Sequence, residues 1–143
     1  MALSRSITAG FSKKSPEELR RICRENLEIL EDYFIENNIP IESRRELSQN
    51  IWKLFVSADK RTHKDEYNLF ITSIGFTEEE FSKESFYDMT NHGSNEEFVD
   101  YVVSSVWKLP KSVRIAIAVI GLCIMGSDRE ITPEEQALID RFF

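Results

Sequence analysis

The sequence predicts an all-α, single-domain bundle of about seven short helices, and three observations carry that prediction. Turn punctuation of the kind that sheets need is scarce, with 5 Gly and 4 Pro in 143 residues. Helix starts are written five times as Ser or Thr followed three residues later by Glu. In this capping box the hydroxyl accepts from the N3 amide while the carboxylate reaches back to the cap's own N–H. The third observation is an uninterrupted apolar run from Ile115 to Met125. A helix that is apolar all round belongs in a core, and this run falls short of the roughly 20 residues that span a bilayer.

Residues 1–14 read as a lead-in, and the domain proper as 15–143. The boxes are Ser15/Glu18, Ser43/Glu46, Thr77/Glu80, Ser94/Glu97 and Thr132/Glu135. Two carry Pro at the first helical position, Pro16 and Pro133, where the missing N–H costs nothing. Helices are expected at about 16–37, 43–58, 64–74, 78–91, 95–108, 110–126 and 133–143. The first lines up Leu19, Ile22, Cys23, Leu27, Leu30, Tyr33 and Phe34 on one stripe, and the second Leu47, Ile51, Leu54, Phe55 and Ala58. The fifth offers Phe98, Val102, Val106 and Leu109, with Trp52 and Trp107 beside the stripes as core or rim packing. The 110–126 helix is the expected central post, with no segment alternating at period two.

The net charge of -7 is uneven, since residues 1–75 are balanced and the acidic excess falls in 76–143. Such a chain repels phosphate backbones and lacks a basic stripe with interleaved aromatics, which argues against nucleic-acid binding and for cations or basic partners. Cys23 and Cys123 each sit alone inside an apolar helical pattern, so neither a disulfide framework nor a thiolate zinc site is indicated. Reduced thiols and the lack of a signal-peptide core in the lead-in point to a cytoplasmic protein without membrane insertion.

The chain matches itself at an offset of 69 residues, with Ser57–Phe70 lying over Gly126–Ile139. Both copies run from an apolar helix through a small residue, an Asp, a basic residue and an acidic pair into a new helix, which suggests pseudo-duplicated helical hairpins around the central apolar helix. The C-terminal elbow, Asp128-Arg129-Glu130-Ile131-Thr132-Pro133-Glu134-Glu135, resembles the Asp-Gly-x-Ile-x-x-x-Glu turn of the tellurite-resistance TerB-like family. Asp59-Lys60-Arg61-Thr62-His63-Lys64-Asp65-Glu66 is the weaker copy. The resemblance spans roughly residues 43–143. It implies a helical bundle with a stress-response or accessory role, and acidic turn residues that bind divalent cations.

The residues themselves leave two readings of the elbow open. A capping box already accounts for Thr132 and Glu135. Asp59 and Asp128, however, follow helix C-termini, where an acid faces the negative end of the macrodipole. Either each accepts turn amides, or Asp59, Glu66, Asp128 and Glu135 share a divalent cation such as calcium or magnesium. A complete calcium loop is not written, because Arg129 and Lys60 occupy the position that needs Gly. His63 and His92 stand without a nucleophile or acid in a catalytic pattern, so no enzyme is expected. The expected function is a non-enzymatic module of the stress response that recruits a protein partner. The alternative is a purely structural adaptor or small regulatory protein without metal.

Overall fold

In the computed structural model, the described residues are 10–11, 13–56, 96–126 and 131–143. Among them the chain is helical with no strand, as expected, and five helices are formed. They are α1 (Pro16–Glu36), α2 (Ile41–Val56), α3 (Glu96–Trp107), α4 (Lys111–Gly126) and α5 (Pro133–Asp140). The helices expected at 64–74 and 78–91, the Thr77/Glu80 box, Ser94 and the first elbow of the internal repeat lie outside the described residues.

Two starts follow the local chemistry closely. Glu18 N–H donates to Ser15 Oγ at 3.2 Å, and Ser15 N–H to Glu18 Oε1 at 3.5 Å. At the head of α5, Glu135 N–H donates to Thr132 Oγ1 at 3.2 Å and Thr132 N–H to Glu135 Oε1 at 3.0 Å. The second box is buried, with Thr132 and Glu135 both inside the protein. Its hydrogen bonds are therefore shielded from competing water, and their loss leaves buried donors unpaired.

The Ser43/Glu46 box does not cap a helix. α2 starts two residues earlier, at Ile41, which places Ser43 inside its first turn. What sets this boundary is the end of α1. Asn38 adopts a left-handed φ of 53°, Ile39 N–H donates to Phe34 O at 2.9 Å, and Asn38 N–H to Ile35 O at 3.2 Å. This is the Schellman pattern, which satisfies the last carbonyls of a helix and brings an apolar residue, here Ile39, back towards Phe34. Pro40 follows and its carbonyl accepts the first α2 bond, from Arg44 N–H at 3.0 Å. The Arg44 side chain also reverses onto the turn, its Nε donating to Ile39 O at 2.6 Å.

α4 is the central element, since it packs against each of the other four described helices. From Ala116 to Gly126 every residue except Val119 is buried. Around it, α1 contributes Leu19, Cys23, Leu27, Leu30 and Phe34, α2 contributes Ile51, Leu54 and Phe55, and α3 contributes Val102, Val103 and Val106. Phe11, from the lead-in, also enters this core. No described helix is long and apolar enough to cross a membrane.

Candidate functional site

Of the four carboxylates expected to hold a cation, only Glu135 is among the described residues, and its Oε1 accepts the Thr132 N–H of the capping box. Asp59, Glu66 and Asp128, like His63 and His92, lie outside them. No group of three or more His, Cys, Asp or Glu with metal-binding arrangement occurs among the described residues.

The described residues do assemble a surface where α3, the start of α4 and the turn after α5 meet. Trp107 is the last residue of α3 and is 45% exposed. Its Nε1–H donates to Arg141 O at 2.8 Å. Arg114, on the first turn of α4, lays its guanidinium over the Trp107 ring at 3.8 Å from the centroid. The same guanidinium donates through Nε to Phe142 O at 3.2 Å. Arg141 returns to α3, where its Nη2 pairs with Asp100 Oδ1 at 2.8 Å. Asp100 and Trp107 are seven residues apart and therefore share one helix face, so one arginine meets both ends of that face.

This arrangement follows from what each side chain can satisfy. An indole has one donor, which the carbonyl of Arg141 takes, and its ring face attracts a planar cation. Phe142 is fully buried, with its ring centroid 5.4 Å from that of Phe55. Burial of Phe142 fixes the turn, and the turn fixes the carbonyls that Trp107 and Arg114 bind. The Arg141–Asp100 pair is exposed on both sides, so it contributes orientation more than stability.

The outward side of α3 continues from this corner to Tyr101, which is 61% exposed. Beyond Tyr101 a cleft of about 170 Å³ opens between α2 and α3, lined by Ser43, Glu46, Leu47, Asn50, Tyr101, Val102 and Ser105. Ser105 Oγ is turned back to Tyr101 O at 2.8 Å, and Lys53 of α2 lies 4.6 Å from the Phe98 ring centroid. The α3 face is thus an exposed Tyr and Trp flanked by two fixed arginines on one side and a polar cleft on the other.

Sequence reasoning places Trp107 as core or rim packing, and the rim is where it lies. Its partners could not be read locally, because Arg141 is 34 residues away. Cys23 of α1 and Cys123 of α4, expected as reduced thiols, are both free and buried. The hydrogen bond to Cys23, and then burial, push the Cys123 thiol far above its ordinary value, with the Lys14 ammonium opposing.

Comparisons with protein-family models, with curated proteins and with solved structures return no match.

Proposed function

We propose that the chain is a non-enzymatic helical module that recruits a protein partner through the outward face of α3 and the adjoining turn after α5. The observation that supports this is the pairing of exposed Tyr101 and Trp107 with Arg114 and Arg141, both held in place by hydrogen bonds and ring stacking. Tyr, Trp and Arg are the residues that dominate binding energy at protein interfaces. Side chains already held in one geometry lose less freedom when a partner binds. The acidic excess of residues 76–143 favours a partner with basic groups.

Within this reading, kinship to the TerB-like family and a stress-response role are proposals that rest on the elbow motif at Asp128–Glu135. A divalent cation held by Asp59, Glu66, Asp128 and Glu135 belongs to the same proposal, and is separable from partner recruitment because it uses different residues.

Photo-crosslinking in cells tests the recruitment surface. A benzophenone side chain replacing Tyr101 is expected to give a discrete adduct that Trp107→Ala removes, whereas the same group replacing Glu28, on the exposed side of α1, gives none. Indistinguishable adducts at the two positions, or an adduct at Tyr101 that survives Trp107→Ala, would overturn the assignment of this face.

A further inference from the structure

The cleft beside Tyr101 is made by two helix faces. Ser43, Glu46, Leu47 and Asn50 follow one another at helical spacing, so a single stripe of α2 forms one wall. Tyr101 and Ser105, one turn apart on α3, belong to the other. Val102 is part of the core and Leu47 packs against it, which gives the cleft an apolar lining at its inner side.

The polar groups of the α2 stripe are unspent because α2 starts at Ile41. A cap at Ser43 would engage its hydroxyl with the Glu46 N–H and the Glu46 carboxylate with the Ser43 N–H. With Ser43 inside the first turn, that exchange is absent. Among the described residues, the side chains of Ser43, Glu46 and Asn50 have no hydrogen-bond or ion-pair partner. Ser105 Oγ donates its proton to Tyr101 O at 2.8 Å, which leaves its lone pairs able to accept. The cleft thus offers a carboxylate, an amide carbonyl and hydroxyl oxygens, and no Lys, Arg or His lines it. Its volume of about 170 Å³ equals that of roughly five or six water molecules at ~30 Å³ each. Small-molecule pockets begin at roughly 300 Å³, so the cleft suits one long side chain.

We propose that this cleft is a lysine-binding subsite, which takes the side chain of a lysine on the recruited protein. The proposal rests on the reading of the outward α3 face as the recruitment surface, and names the partner chemistry that the face selects. An ammonium brings three donors and no acceptor. Glu46 meets its charge, while the Asn50 carbonyl, one turn further along α2, and Ser105 from α3 accept the remaining protons. The four-carbon stem lies along Leu47 and Val102 beside the Tyr101 ring, as lysine stems do on apolar surface. An acidic side chain would meet Glu46 as a like charge, and an apolar one would strip water from the acceptors without replacing it. An arginine fork asks for acceptors in one plane, whereas these come from two helices.

The test titrates the isotopically labelled 143-residue chain with Nα-acetyl-lysine N-methylamide at constant ionic strength and follows its NMR signals. Saturable shifts are expected at the Asn50 side-chain amide and at the backbone amides of Leu47, Val102 and Ser105. The norleucine analogue, which has an apolar stem and no ammonium, should give none. Glu46 is exposed and outside the core, so Glu46→Gln should keep the fold and weaken binding about fivefold, as for one exposed charge pair. The proposal is overturned if the lysine compound gives no saturable shifts at these residues, or if the norleucine analogue gives the same ones. Tighter binding of the arginine analogue, or an unchanged titration in Glu46→Gln, would also overturn it. The lysine and norleucine comparison uses the wild-type chain alone, so it decides whether or not the variant folds. Because no partner is needed, the result is separable from the crosslinking experiment. Cleft shifts without a Tyr101 adduct would support the subsite and remove the recruitment reading, whereas an adduct without cleft shifts would remove the subsite alone.

Discussion

The ring of Phe55 occupies the space that a side chain at Gly121 would need: a β-carbon built on Gly121 lies 2.6 Å from Phe55 Cδ1 and nearer still to the ring edge. Phe55 is itself fully buried and stacked near Phe142, so the ring has no free direction in which to retreat. Gly121→Ala should therefore cost about 1–3 kcal/mol through overpacking. This is opposite in sign to the gain of about 1 kcal/mol that a helix interior ordinarily shows. Urea denaturation decides the sign. The Phe55→Leu background should reduce the cost, because the two residues share one space.

Ile120 tests the centrality of α4. It is completely buried, and Ile120→Asp places an unpaired carboxylate among apolar side chains, a cost of several kcal/mol against a total stability of about 5–15 kcal/mol. The expected result is loss of the cooperative melting transition in circular dichroism. An unchanged melt would show that this side of α4 is not in the core.

Arg114→Lys keeps the charge but loses the planar stack on Trp107 and the geometry of the Nε donor to Phe142 O. A destabilisation of about 0.5–1 kcal/mol is expected, as for a partly exposed cation–π pair. Faster hydrogen exchange at the amides of Phe142 and Phe143 should accompany it, and unchanged exchange there would show that Arg114 does not hold the turn.

Thr132→Ala removes the buried acceptor for Glu135 N–H and should cost about 1–2 kcal/mol, at the upper part of the range for capping residues. Calorimetry on metal-stripped protein separates this role from cation binding. If calcium or magnesium binds at the elbow, Asp128→Asn should lower the heat and affinity, whereas a capped turn alone gives the same flat titration in both proteins.

The Cys123 thiol sets a pH dependence. Its folded value lies far above the ordinary 9.0, held there first by the hydrogen bond to Cys23 and then by burial. Below the ordinary value the thiol is protonated in both states, and its stabilising effect is fully present. As pH rises past 9.0 the unfolded chain releases the proton while the folded chain retains it, so stability falls. The urea midpoint should decline between pH 8 and pH 10 more steeply in wild type than in Cys123→Ala. Equal slopes would remove the thiol as the cause.

What the sequence revealed followed from how local each determinant is. Ser15-Pro16 and Thr132-Pro133 marked their helices because a capping box and an N1 proline act within four residues. The run from Ile115 to Met125 marked the central post because only a surrounded helix can be apolar on every side. The start of α2 was misplaced at Ser43 because the governing event is the left-handed turn at Asn38, whose Asn and following Pro are the available signal. The Trp107–Arg141 contact joins distant parts of the chain, and no spacing rule reports such a meeting. The cation expectation was readable as a motif only, and its acids other than Glu135 lie outside the described residues.

The charge-free stretch of α4 also governs how the chain behaves before it folds. Ile115 to Met125 contains four isoleucines and a valine, with no proline or ionisable carboxylate or amine. Hidden inside the bundle it is inert. Released, it has the composition of a segment that pairs with copies of itself as β-strands. Assembly of the bundle therefore competes with self-association, and recovery from denaturant should fall as protein concentration rises. The helix that organises the native core is thus also the segment that a chaperone would most need to shield on the newly made chain.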